Sequence, residues 1–224
     1  LHYLHDEYNE RVVHRDIKAS NVLLDADFHA SLGDFGLARA LDPDRTSYAD
    51  LELDGFPGTL GYIAPECFHT GKATRESDVF GFGAVVLEVV CGRRPRCDVG
   101  GFRFLADWIW KLHREGFLLE AVDDRLGVDY AAEDAERLLL LGLACSNPAP
   151  ADRPKAHEIV QILSGSVAPP RVPPFRPAFV WPSAVEDDDG NGATSTTAAS
   201  SAYVSTREWT PRFRSSDSYD LSNV

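Results

Sequence analysis

The sequence predicts a mainly α fold carrying one small β hairpin, and three observations lead there. Residues 77–91 (SDVFGFGAVVLEVVC) are apolar on nearly every face, the pattern of a helix buried on all sides. Leu105, Trp108, Ile109 and Leu112 recur at the i, i+3, i+4, i+7 spacing of an amphipathic helix. Between residues 22 and 32 two short apolar runs flank a polar turn at residues 25–27, which reads as a hairpin. With 224 residues, 44% of them apolar, the chain has enough material for one domain core and a tail.

Taken in order, residues 1–10 carry apolar or aromatic side chains at Leu1, Leu4 and Tyr8, consistent with the last turns of a helix that begins upstream. The hairpin that follows should hold Asp34 close to Asp16 and Asn21. Residues 39–57 turn polar and acidic, with Thr46, Ser47 and Tyr48 set among Asp42, Asp44, Asp50, Glu52 and Asp54, and read as a mobile loop. In GTLGYIAPE the residue before Pro65 is biased away from helix, so a short helix is expected only from Pro65 onward. The all-round apolar helix has Ser77 or Asp78 near its start and Gly92 just past its end. Gly81 and Gly83 inside it each cost up to about 1 kcal/mol against alanine, which is expected where other backbone approaches closely. Leu138, Leu139 and Leu143 mark another helix, and Asp152-Arg153-Pro154 is expected to open a last one with proline in its first turn, ending at Gly165. Residues 166–185 form a Pro-rich extension, and residues 186–224 are acidic and Ser/Thr/Ala-rich, a composition that reads as a disordered tail without a core.

Composition narrows the function classes. A formal net charge of −13 sets the long-range field against nucleic acid and anionic lipid. The cysteines at 67, 91, 97 and 145 form no CxxC pair, and Cys91 and Cys145 lie in apolar helical segments, so a reducing compartment is expected. The opening residues show neither a basic region nor an apolar core of a targeting peptide. The apolar run at residues 79–90 contains Glu88 and two glycines and is too short to span a bilayer.

The chemistry concentrates between His14 and Gly36, which reads HRDIKASN, VLLDADFHASLG and DFG. Asp16 can accept a hydroxyl proton, Asn21 and Asp34 offer hard oxygen ligands to Mg²⁺, and Lys18 can meet a phosphate as a point charge. Phosphoryl transfer needs such positioning and charge neutralisation rather than covalent help from protein. Taken singly, Asp16 reads equally as a surface carboxylate, Asn21 as a turn residue, Asp34 as a cap and Lys18 as a solvated lysine. The joint spacing is specific: HRD-x-K-x-x-N, then DFG opening thirteen positions after Asn21, then APE at residues 64–66. A metal-dependent hydrolase using Asp16 and Asp34 would need a second ligand cluster that the sequence does not supply.

On these motifs residues 1–164 resemble the eukaryotic protein kinases, specifically their large helical C-terminal lobe. The resemblance implies ATP and Mg²⁺ as cofactors, Asp16 as catalytic base, Lys18 on the phosphate, and Asn21 and Asp34 on the metal. It further implies a packing role for His14, an activation-loop phosphate pocket at Arg15, and a buried ion pair between Glu66 and Arg153. Asp78 is implied as the acceptor of backbone N–H groups from the catalytic loop, and Gly36 completes the metal-binding motif. Candidate phosphorylation sites are Thr46, Ser47 and Tyr48, with Thr59 nearer the substrate. Lys18 and the Gly58-Thr59 pair follow the serine/threonine pattern, so protein Ser/Thr hydroxyls are the implied acceptors. The longer matches LGDFGLAR, GTLGYIAPECFHTGKATRESDVFGFGAVVLEVVCGRRP and PPFRPAFVWP are similar to plant receptor-like kinases of the L-type lectin-domain group. That resemblance implies a single-pass plasma-membrane receptor with an extracellular ligand, linked to defence or development, this chain lying on its cytoplasmic side.

Within these residues nothing matches the small lobe of the family: no Gly-rich loop, no Val-Ala-x-Lys strand, no helix glutamate to pair with that lysine, and no adenine-binding hinge. The 224 residues alone are therefore expected to be inactive, a fragment of a working enzyme, and to expose the face that meets the small lobe. The alternative is a non-catalytic kinase-fold binding module or pseudokinase-like regulator.

Overall fold

A helix that is apolar all round needs neighbours on every side, and it forms the centre of the fold. The computed structural model describes residues 1–8, 11–40, the backbone of 48–49, and 58–180. The sequence-based readings of Thr46, Ser47, the Tyr48 side chain and residues 181–224 lie outside these. The described residues belong to one unit, Leu1–Ser183.

Helix α1 spans Pro65–Thr70, α2 Arg75–Cys91, α3 Leu105–Glu115, α4 Ala132–Cys145 and α5 Ala156–Leu163. Pro65 stands in the first turn of α1, where a missing N–H is harmless, and Gly71 (φ +61°) closes it. Helix α2 starts earlier than the sequence suggests. Thr74 is its cap and accepts from the Ser77 N–H, while Ser77 reciprocates on the Thr74 N–H in a capping box. The last helix departs from expectation the other way: Pro154 lies outside α5, which begins after Lys155, and Pro150–Asp152 forms a separate 3₁₀ turn. The Glu158 carboxylate accepting the Lys155 N–H supplies the start signal that Pro154 was expected to give.

Along α2 only Val89 is freely exposed, at 68%. Leu87, Val90 and Cys91 enter one cluster with Leu105 and Ile109 of α3 and Leu139 and Leu143 of α4. Val79 joins Leu141, Cys145, Ile159 and Ile162 in a second, which seats α5. Each fully buried leucine or isoleucine contributes about 1.5–3 kcal/mol of transfer free energy, so these clusters carry the fold. Helices α2 and α4 approach closely because glycine faces side chain on both: Gly83 against Cys145, and Gly142 against Leu87.

Among the described residues, four two-stranded antiparallel ladders decorate this bundle. Strands β1 (Val12–Val13) and β4 (Arg39–Ala40) pair around the hairpin of β2 (Val22–Leu24) and β3 (Ala30–Leu32), in the register Val22↔Leu32 to Leu24↔Ala30. Strands β5 (Tyr48–Ala49) and β6 (Lys72–Ala73) pair next. Strands β7 (Arg96–Val99) and β8 (Phe102–Phe104) form a hairpin turning on Gly100 and Gly101, both at positive φ. The described part of the Pro-rich extension lies on α3. Val172 packs on the first cluster and its carbonyl accepts from His113 Nε2, the Phe175 ring stacks beneath Arg114, and Arg176 pairs with Asp107. No helix among the described residues is long and apolar enough to cross a membrane.

Candidate active site

The loop from His14 to Asn21 is built on one buried carboxylate. Asp78, in the first turn of α2 and 2% exposed, accepts the His14 N–H at 2.7 Å on Oδ2 and the Arg15 N–H at 2.8 Å on Oδ1. His5, in the π-helical turn Tyr3–Glu7, donates Nε2–H to Oδ2 at 3.0 Å. These bonds fix Arg15 at φ +74°, a left-handed conformation that costs a non-glycine residue about 1–3 kcal/mol and persists only where its surroundings over-determine it. The His14 ring completes the turn. Its Nδ1 accepts the Asp16 N–H at 3.3 Å and its Nε2 lies 3.0 Å from the Gly33 carbonyl, so the neutral Nε2–H tautomer satisfies both. Helix α2 approaches the same loop at Gly81, where a Cβ would meet the Ile17 Cβ at 3.0 Å and the Ile17 carbonyl at 3.1 Å.

Asp16, Lys18 and Asn21 are brought into contact. Asp16 Oδ2 accepts from Lys18 Nζ at 2.6 Å and from Asn21 Nδ2 at 3.2 Å, and the same Asn21 amide reaches the Asp16 carbonyl at 2.9 Å. Asp16 and Asn21 are buried and Lys18 half-buried. Asp16 Oδ1 and Asn21 Oδ1 make no hydrogen bond among the described residues, leaving one carboxylate and one amide oxygen for an incoming group. Asp34 makes no hydrogen bond or ion pair with these three. The hairpin carries it beside them through the Gly33 N–H, which donates to the Asn21 carbonyl at 2.8 Å. Asp34 stands at φ +57°, its Oδ1 accepting from the Gly36 N–H, and is exposed. The intervening Phe35 packs edge-on against His14 at 4.8 Å. Carboxylate and amide oxygens of this kind suit a small hard dication.

The segment from Gly58 to Glu66 lies across this loop. Arg15, Asp16, Thr59, Tyr62 and Asp78 line one small open cleft. Tyr62 donates its hydroxyl to Glu88 of α2, and burial with that carboxylate raises the phenol above its ordinary range. Glu66 and Arg153 form a bidentate pair at 2.6 and 2.7 Å. The remaining guanidinium N–H groups reach the carbonyls of Glu76, Asn147 and Pro148, and the Phe80 ring lies 5.0 Å away. Asp25, Asp27 and His29 form a further group of possible ligands, exposed at the hairpin tip, where Asp25 accepts from the backbone of the other two.

Sequence reasoning singled out neither His5 nor the Tyr62–Glu88 pair. His5 lies outside any motif span, and Glu88 reads as an interruption in an apolar helix. A lone carboxylate in such a helix is itself a signal, because it must find a donor.

The protein kinase domain family matches residues 1–162. The probable L-type lectin-domain containing receptor kinase S.5 of Arabidopsis thaliana is 44% identical over 189 residues, covering 81% of this chain and 28% of that protein. L-type lectin-domain containing receptor kinase VIII.2 of the same plant is 47% identical over 186 residues, with 80% and 26% covered. L-type lectin-domain containing receptor kinase SIT2 of Oryza sativa subsp. japonica is 48% identical over 181 residues, again with 80% and 26% covered. The chain thus spans about a quarter of the length of these relatives.

Proposed function

The chain belongs to the protein kinase family, and on that premise we propose that it is the C-terminal lobe of a serine/threonine kinase of the L-type lectin receptor group. The observation that carries this reading is the contact among Asp16, Lys18 and Asn21, with Asp16 lining a small cleft together with Thr59 and Tyr62. Asp16 Oδ1, uncommitted while Oδ2 is held by two donors, accepts the proton of the substrate hydroxyl. Lys18 neutralises Asp16 and faces the transferring phosphate. The oxygens of Asn21 and Asp34 would hold Mg²⁺. Mg²⁺·ATP, when bound, supplies the phosphoryl group and offsets its charge. His14 and Asp78 do no chemistry; they fix the loop so that these groups need no reorganisation. Arg15, anchored through its N–H on Asp78, reads phosphorylation at Thr46, Ser47 or Tyr48. The full receptor sits in the plasma membrane, takes an extracellular ligand and acts on proteins, and residues 166–185 and 186–224 form an extension and a tail to the kinase unit.

Experimentally, the 224-residue chain, which carries no match to the ATP-covering loop, should transfer no measurable phosphate from ATP to a generic Ser/Thr protein. The same chain fused behind the small lobe of one of the relatives should do so, with phosphoserine and phosphothreonine as the products. Phosphotyrosine as the main product would overturn the acceptor assignment, and robust transfer by the chain alone would overturn the two-lobe reading.

A further inference from the structure

In a chain of net charge −13, three arginines fall within four residues at the end of α2, in CGRRPRC: Arg93, Arg94 and Arg96. All three are exposed. Arg93 reaches over the Trp108 ring at 6.0 Å. The side chains of Arg94 and Arg96 make no hydrogen bond or ion pair among the described residues.

Their position ties them to the active site. A Cβ on Gly61, which stands at φ +102°, would lie 3.0 Å from the Pro95 Cβ and 3.4 Å from the Arg96 nitrogen, so the arginine turn is packed directly against the segment that lines the Asp16 cavity. Arg94 acts electrostatically on the hydroxyl of Tyr62, a residue of that cavity wall. Glu88 of α2, the carboxylate that meets Tyr62, is engaged by its hydroxyl. An extended peptide advances about 3.3–3.6 Å per residue, and a peptide with its acceptor hydroxyl at Asp16 would run its flanking residues along the segment at residues 59–62, against which this turn is packed.

We propose that Arg94 and Arg96 form a subsite for acidic side chains of the protein substrate, so that the site favours hydroxyls flanked by Asp or Glu. The inference rests on the phosphoryl-transfer reading of the Asp16 site for its account of what the peptide is for. Peptide binding tests it apart from that reading, because binding needs no chemistry.

The test is fluorescence anisotropy of the 224-residue chain with two labelled peptides, each with one central serine, one flanked by Asp and Glu and the other by Asn and Gln. An exposed charge pair changes a binding constant by up to about fivefold, so two arginines should give the acidic peptide an advantage of about five- to tenfold at low salt. Raising the salt should shrink that advantage. Arg94→Gln with Arg96→Gln should abolish it, Arg94→Lys with Arg96→Lys should retain most of it, and Lys155→Gln with Arg171→Gln, an equal charge loss elsewhere, should leave it intact. Equal affinity for the two peptides, no binding of either, or an advantage that survives the Arg94→Gln and Arg96→Gln pair would overturn the proposal. Loss of phosphate transfer in the fused enzyme with the acidic preference intact would count against the enzymatic reading alone.

Discussion

Replacing Gly83 by alanine sets two effects of known size against each other. Helix propensity favours alanine by about 1 kcal/mol. Against this, the new Cβ would lie 2.6 Å from the Cys145 Cβ and 3.0 Å from the Gly142 carbonyl oxygen and the Ser146 nitrogen. Carbon atoms meet comfortably at about 3.5–4.0 Å, so α2 and α4 must part by about 1 Å. The blocking atoms are backbone or fixed to it, so no flexible side chain can give way. Parting the helices loosens Leu87, Leu139 and Leu143, each at most 1% exposed, and a gap of about 0.5–1 Å forfeits a quarter to a half of each dispersion contact. Overpacking costs about 1–3 kcal/mol, and rigid neighbours put this site at the upper end. After the propensity gain the net loss is about 2 kcal/mol. For a domain of this size that lowers Tm by about 4–8 °C. Thermal unfolding followed by far-UV circular dichroism, with Val89→Ala on the exposed side of the same helix as the reference, measures it. A Tm for Gly83→Ala at or above the parent's would refute the close-packing argument.

Glu66→Ala leaves the Arg153 guanidinium buried without its counter-charge, and because three backbone carbonyls still hold it the loss should sit at the low end of the usual range, about 3 kcal/mol in urea unfolding. Adding Arg153→Leu should recover part of that loss, and a single-variant loss below about 1 kcal/mol would contradict the pairing. Burial pushes the Cys67 and Cys91 thiols up to about 12. Unfolded thiols ionise near 8.5, so this contribution is whole below about pH 8.5 and declines as pH rises from there toward about 12. The urea midpoint should therefore fall from neutral to alkaline pH less steeply in Cys67→Ala with Cys91→Ala than in the parent; an identical slope would count against it. Truncation after Gly165 removes the Val172 contact, the bond to His113 and the Arg176–Asp107 pair. Stability should drop by about 1–2 kcal/mol with a change in tryptophan fluorescence, and an unchanged midpoint would mean that the extension contributes nothing.

The helical core was legible because its patterns are periodic and long. The all-round apolar run marks α2, and Leu105, Trp108, Ile109 and Leu112 mark α3. Boundaries were less so: Thr74 hides its capping role until Ser77 answers it, and Pro154 looks like a first-turn proline although the cap lies beyond it. The β2–β3 hairpin was legible from the polar turn between its two apolar runs, but the other ladders carry too little periodicity to be seen, and the β7–β8 hairpin is signalled only by Gly100-Gly101. In the site, the contacts among Asp16, Lys18 and Asn21 follow from residues close in sequence. The His5–Asp78 bond, spanning 73 positions, and the Tyr62–Glu88 bond, spanning 26, depend on how α2 is placed and have no local signature.

The central claim is that Asp16 Oδ1 takes the substrate proton while its loop merely holds it in place. Steady-state kinetics of Asp16→Asn, in the chain fused behind a relative's small lobe, tests this most directly. Asparagine keeps the shape and can still meet Lys18 and Asn21, so KM for ATP should change little, while kcat should fall by about 10²–10⁴, the range that a positioned base supplies. A kcat within a few-fold of the parent's would contradict the assignment of Asp16 and with it the reading of the site.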